Sequence, residues 1–381
     1  MQALVQDAGR FGLLRFGVPF SGAADALSLR VGNILVGNND GAAGLEVLPG
    51  AFAMRFEGDA LVAIVGARVV ATVSDDKVQN RPVPTGRPLL IRHGSTLAIT
   101  RFIAGMRVYI AIAGGVDVAE VLGSRSTYLY GKFGGYEGRP LKKDDVVPIG
   151  QISERSARIA ALLGVQATKH SRTWMSAGWF ATGALTESVP DAEDIFFGKE
   201  ATAGIERRNR HRFDNRFDRH TNRHTDRYAT LRIVRGMHAE EFSGASWQQL
   251  CSMPFRVTPQ ADRMGVRLEA MLPSDSNRTT TTLQRTHRAD IISSATIPGT
   301  IQVPPDGRPI ILLSDAQTIG GYPIIAHVCS VDIPRVAQLT QRAVVHFREI
   351  SLETAHHLLR KQEQAINILR YGVDAALRLT M

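Results

Sequence analysis

Cysteine is nearly absent. Cys251 and Cys329 are the only two in 381 residues, too few to staple a chain of this size, which points to a reducing, cytoplasmic setting. Long apolar runs are missing as well: none approaches the roughly 18 residues that a membrane-spanning helix needs. The opening Met1-Gln2-Ala3-Leu4-Val5-Gln6-Asp7 places no basic stretch ahead of an apolar one, so no signal peptide is expected. No Gly-x-x-x-x-Gly-Lys-Ser/Thr loop occurs, which removes one familiar phosphate cradle.

What is present is ordinary globular composition, 44% apolar and 21% charged. The length suits two or three domains at about 100–200 residues each. A net charge of +9 hints at acidic partners, but much of it is local. Between Glu206 and Arg227 stand eight Arg and four acidic residues, a difference of +4, with His211, His220 and His224 among them. A segment this polar buries too little surface to offset its ordering entropy, so it reads as an exposed, disordered insertion. The interleaved acids weaken a nucleic-acid reading, and nothing fixes the histidines for a metal. Deleting residues 206–227 is expected to leave the melting temperature nearly unchanged; a large fall would refute a dispensable insertion.

The most informative stretch is residues 299–322. Residues 300–303 and 309–313 are short β-branched runs that suit strands, and Pro304-Pro305-Asp306-Gly307 supplies a turn between them. Beyond the second strand come Ser314, Asp315, Gln317 and Thr318, then Gly320-Gly321-Tyr322. Polar side chains beside bare backbone suit a ligand met by main chain; a plain hairpin with a solvated turn fits the same spacing.

Earlier, glycines at 9, 12, 17 and 22 predict a loop of turns that feeds a helix carrying Leu27, Val31, Ile34 and Leu35 on one face. Ser21 or Asp25 could cap that helix, whose free N–H groups could equally meet an anion. Runs at 61–65, 69–73, 89–92, 96–101 and 107–113 predict five strands of a barrel or sandwich. Arg125, flanked by Ser124, Ser126 and Thr127, suits an oxyanion or a loop tied to backbone carbonyls. A short helix is expected over 153–163, a strand over 343–349 and a last amphipathic helix from Ser351 through Leu352, Leu359, Ile366 and Leu369.

Several blocks together resemble one family. They are Val5-Gln6-Asp7-x-Gly9-Arg10, Gly17-Val18-Pro19-x-Ser21-Gly22, the helix from Asp25 to Asn33, Leu122-Gly123-Ser124-Arg125-Ser126-Thr127, Asp262-Arg263-Met264-Gly265, and Gly299-Thr300-Ile301-Gln302-Val303-Pro304 through Gly320-Gly321-Tyr322-Pro323. The chain is identified by them as a member of the biotin-dependent carboxyltransferase / allophanate hydrolase subunit 2 family, which includes the carboxyltransferase part of urea carboxylase and one of the subunits of 5-oxoprolinase. The first strand is shorter than the family pattern, which leaves closure of the N-terminal sheet open. Gly32 stands where Ala is usual, at a cost of roughly 0.5–1 kcal/mol in a helix interior.

The resemblance implies a mainly β fold with some α: two cyclophilin-like β-barrel lobes plus a C-terminal helix. The expected division is 1–150 for the first lobe, 151–228 for a linker with the basic insertion, 229–350 for the second lobe and 351–381 for the helix. It implies one subunit of an ATP-dependent 5-oxoprolinase, with A-type and B-type partner subunits that share the ATP. The alternatives are a carboxyltransferase acting with biotin, and a non-catalytic regulator that antagonises a kinase inhibitor. No Met-Lys-Met sequence is present, so biotin would ride on another chain. Asp315 and Asp25 are the candidate acid/base carboxylates. Gln302, Gln317, Thr318, Gly320, Gly321 and Tyr322 would meet a lactam or ureido group, Arg125 and Arg263 an oxyanion, and Ser21 and Asn33 complete the substrate contacts. No metal is expected, nor a membrane or nucleic-acid partner.

Overall fold

The apolar runs assemble into two β lobes tied together by helices. The computed structural model describes residues 2–76, 79–170, 174–177, 181, 228–271, 282–286 and 291–378. The Arg-rich tract lies outside these residues.

The first lobe is an eight-stranded sheet of β1 (Ala3–Gln6), β2 (Gly44–Val47), β3 (Phe52–Arg55), β4 (Ala60–Ser74), β5 (Arg81–Val83), β6 (Pro88–Ile91), β7 (Thr96–Ile112) and β8 (Trp174–Ser176). Its order is β1-β2-β7-β4-β6-β8, with β3 beside β7 and β5 beside β4. The four residues of β1 are enough: they pair with β2 from Ala3↔Val47 to Gln6↔Gly44 and are all buried. The expected strands 61–65 and 69–73 are one strand, and so are 96–101 and 107–113. The glycines that read as breaks are bulges instead, since the β4–β7 register shifts around Gly66. Gly66 and Gly105 have φ 94° and 83°. A side chain at Gly66 would run into the Arg107 carbonyl, and one at Gly105 into the Gln338 carboxamide. The second lobe thus reaches the first through these two gaps.

Helix α1 (Ala26–Leu35) lies on this sheet. Asp25, not Ser21, caps it: its carboxylate accepts the Ser28 N–H at 2.9 Å. At Gly32 a Cβ would sit 3.0 Å from both Ala111 and Val65, so the glycine permits the close approach of helix to sheet. Helix α2 (Glu154–His170), capped through Ser153, adds Ile159 and Leu163 to the same core. With β8, it completes the first lobe beyond residue 150.

The second lobe is a closed barrel. Its strands are β9 (Tyr228–Arg235), β10 (Phe255–Val257), β11 (Gly265–Ala270), β13 (Thr300–Gln302), β14 (Ile310–Leu312), β16 (Ile324–Val328) and β17 (Val344–Glu349), in the order β10-β11-β14-β13-β16-β9-β17. The two-residue strands β12 (Ser294–Ala295) and β15 (Ile319–Gly320) form a separate ribbon. Only this lobe closes into a ring among the described residues. The 299–322 hairpin forms as expected, with Ile301 opposite Ile311 and Gly307 at φ 72° in its turn. Val345 and Phe347 point into the barrel.

Helices α3 (Gly244–Ser252) and α4 (Ile333–Ala337) flank the barrel. Helix α5 (Leu352–Arg378) leaves the barrel and returns to the first lobe. Its packing face is narrower than the sequence predicts. Ala365, Ile366, Leu369 and Val373 are buried beside α1, whereas Leu352 and Leu359 are exposed. The buried residues of this long helix all lie in its second half.

Candidate active site at the lobe seam

Arg263 lies in the turn before β11, where the Asp262 carboxylate accepts the N–H groups of Met264 and Gly265. That turn aims the guanidinium across the seam. Its Nε donates to Asp315 Oδ2 at 2.8 Å and its Nη1 to Glu46 Oε1 at 2.6 Å. Its Nη2 reaches the Gly22 carbonyl at 2.6 Å, Asp315 Oδ1 at 3.0 Å and Ser314 Oγ at 3.1 Å. Asp315 and Glu46 are both fully buried. Such a fork suits two carboxylates from different lobes better than a lysine would.

Burial alone would raise the Glu46 carboxyl. Arg263, Arg107 and the donors Ala24 N–H and Tyr109 O–H outweigh it and hold the group below its ordinary 4.5. Burial likewise opposes the Arg263 charge, and Asp315 and Glu46 reverse that and raise it. A depressed carboxyl contributes stability that is present above its unfolded pKa and is lost as pH falls through the folded value. Glu46→Gln should therefore be less stable than the parent at pH 7, with the gap narrowing below pH 4.5. Denaturant midpoints across that range check it; a gap independent of pH would count against the pairing.

A second set of bonds joins the lobes one layer deeper. Gln338, at the end of α4, accepts the N–H groups of Met106 and Arg107, both at 3.0 Å. Its amide donates to Asp25 Oδ2 at 2.8 Å and to the Arg107 carbonyl at 2.9 Å. The Arg107 guanidinium donates to the Ala337 carbonyl. Tyr109 donates to Glu46 and accepts the Asp25 N–H at 2.8 Å. Burial pushes the Asp25 carboxyl up more than its bonds from Gln338 and Ser28 pull it down. Two arginines thus face Glu46 and Asp315, with the Asp25 carboxyl, which resists ionising, behind them.

On the barrel side, Gln302 is 1% exposed at the end of β13. Its amide donates to the Tyr322 carbonyl at 3.3 Å and its oxygen accepts from Gln317 Nε2 at 3.2 Å. Gly320 lies against the carboxamide so closely that a Cβ there would overlap it. Thr318 is buried and binds Thr296 N–H through its carbonyl, while Tyr322 and Ile319 are exposed. This is a polar floor with an open apolar rim.

The family model for the carboxyltransferase domain, subdomain A and B, matches residues 16–349. The chain belongs to this family. It is 33% identical over 379 residues to the C-type subunit of 5-oxoprolinase from Escherichia coli K12, covering 100% of this chain and 96% of that protein. It is 28% identical over 374 residues to urea amidolyase of Lachancea kluyveri, but spans only 17% of that protein's length. The crystal structure of the K. lactis urea amidolyase shares the fold, with a TM-score of 0.73 at 23% identity, over 97% of this chain and 19% of that one.

This carboxyltransferase-domain chain brings the sequence candidates into two groups. Asp315, Arg263 and Ser21 meet at the seam, where Ser21 N–H donates to the Ser314 carbonyl at 2.8 Å. Asp25 stands behind them. Gln302, Gln317, Thr318, Gly320, Gly321 and Tyr322 form the barrel group. Arg125 joins neither: its guanidinium donates to the Val118 carbonyl and lies near Asp117 and Glu120. Asn33 is fully buried and binds the carbonyls of Asp40 and Ala42, which fastens the end of α1. Glu46, Arg107, Tyr109 and Gln338 were not among the candidates. A charge inside an otherwise apolar strand is the signal for Glu46 and Arg107, because charged side chains are seldom fully buried without a partner.

Proposed function

We propose that the chain is the C-type subunit of an ATP-dependent 5-oxoprolinase that opens the 5-oxoproline ring to glutamate with A-type and B-type partner subunits. The observation that carries this is the match to the C-type subunit of 5-oxoprolinase over almost the whole of both chains. In this reading Asp315 is the base that activates water and Arg263 orients it, while Asp25 supports the seam as the α1 cap. Gln302, Gln317, Thr318 and Tyr322 supply donors and acceptors for the lactam amide, which such a reaction must polarise.

Among the described residues, the phosphate cradle that the first lobe offers does not fit ATP. The start of α1 is the natural phosphate cradle of the first lobe, but the Asp25 side chain already fills it and takes its Ser28 N–H. ATP would then be held by a partner chain. The purified chain alone should neither hydrolyse ATP with 5-oxoproline nor carboxylate urea, and adding the partners should restore 5-oxoproline-dependent ATP hydrolysis. Turnover by the single chain, freed of contaminants, would overturn the shared-site reading. The urea amidolyase match favours a second reading, a carboxyltransferase that receives its carboxyl group from biotin on another chain. Urea-dependent turnover with such a carrier, and none with 5-oxoproline, would select it.

A further inference from the structure

Arg10 and Ser21 are the two stems of one loop. The Arg10 N–H donates to the Phe20 carbonyl at 2.7 Å, and the backbones of Gly9 and Gly22 cross so closely that a side chain on either would collide with the other strand. Both stem side chains are buried, Arg10 to 0% and Ser21 to 4% exposure. Each also carries a polar atom without a hydrogen-bond partner, Arg10 Nη1 and Ser21 Oγ. The rest of the Arg10 guanidinium is fixed: Nε donates to the Val121 carbonyl at 3.1 Å, Nη2 to the Ser126 carbonyl at 2.5 Å, and the Phe133 ring lies 4.8 Å away. Ser21 has φ 51°, a left-handed backbone that serine adopts at a cost. Buried donors left unmade cost about 1–3 kcal/mol each, so two at one pair of stems call for a purpose.

The loop above them has the character of a flap. From Phe11 to Val18 not one side chain is buried, and Phe11 and Phe16 are 69% and 65% exposed. Gly12 and Gly17 sit at φ 80° and 77° with open space where a Cβ would be. Few buried contacts mean a low cost of local opening. The stems lead directly to the seam, since Ser21 is bonded to Ser314 and the Asp315 charge acts on Arg10.

We propose that Arg10 Nη1 and Ser21 Oγ form a carboxylate subsite beside Asp315, roofed by the flap of residues 11–18, and that it receives the carboxylate of a small cyclic amino acid. This rests on the 5-oxoprolinase reading and sharpens it, because urea has no carboxylate to place there. Arg10 acts as a binding residue that orients the ring so that its amide faces the seam.

Calorimetry on the full chain with 5-oxoproline, and with 2-pyrrolidinone as the same ring lacking the carboxylate, separates this inference from the turnover reading. The expected result is binding of 5-oxoproline alone, weakened about tenfold or more in Arg10→Gln, the scale of one charge-assisted hydrogen bond. Ser21→Gly guards against a folding artefact. It relieves the left-handed strain and removes an unbonded hydroxyl, so it should melt no lower than the parent while binding several-fold more weakly. Failure of the parent to prefer 5-oxoproline, or unchanged binding in a folded Ser21→Gly and Arg10→Gln pair, overturns the subsite. Selective binding without turnover in the assembled complex would leave the subsite standing and remove the 5-oxoprolinase reading. Turnover with unaltered KM in both variants would do the reverse.

Discussion

Replacing Arg263 with methionine is expected to lower stability by about 3–5 kcal/mol, the range for removing one partner of a buried ion pair. The guanidinium serves Asp315, Glu46, Ser314 and the Gly22 carbonyl together. Methionine fills similar volume but leaves two buried carboxylates without their shared partner, with Arg107 3.7 Å from Glu46 and the more distant Arg10 charge to balance them. For a chain of this size the melting temperature should fall on the order of 5 °C. Low pH should return part of the loss, because protonating Glu46 removes the repulsion. Arg263→Lys should fall between parent and methionine variant, since an ammonium cannot make the fork. A methionine variant that melts within about 2 °C of the parent would mean the seam is not held by these charges.

Asp315→Asn should lower turnover of the assembled enzyme by roughly 10²-fold or more, the usual scale for a lost general base. Some stability should go as well, because Asn offers one acceptor where Arg263 now uses two. Glu46 stays to balance the arginine, so the loss should be smaller than in Arg263→Met. Specific activity and melting temperature must be measured on one preparation, well below the melting midpoint. Lowered stability with full turnover of the folded fraction would make Asp315 purely a partner of Arg263.

Local chemistry explains which features were legible in the sequence. The hairpin of residues 299–322 is written in its prolines and Gly307, and the α1 start in Asp25. The family blocks marked Arg263 and Asp315, but their mutual bond spans 52 residues and that of Arg263 to Glu46 spans 217. No window of sequence holds both ends of such a pair. Gln338 was missed for the same reason, since its amide reaches Asp25 across 313 residues. Gly66 and Gly105 misled in the other direction: a glycine in an apolar run reads equally as a break or a bulge, and the pairing of β4 with β7, distant in sequence, decides between them.

The barrel closes where β17 lies parallel to β9, with Val344 beside Tyr228, and where β10 meets β17 at Phe255↔Val345. Both pairings wait for residues near 344. At a synthesis rate of about 5–20 residues per second, a growing chain carries β9 and β10 for several seconds before their common neighbour exists. During that interval two strand edges stand open, the kind of surface that pairs with other chains. The cost of bringing such distant segments together must also be met before either edge is rewarded. The ring that fixes Arg263 and Asp315 in the finished protein is thus the part of the second lobe most exposed to aggregation during its own synthesis.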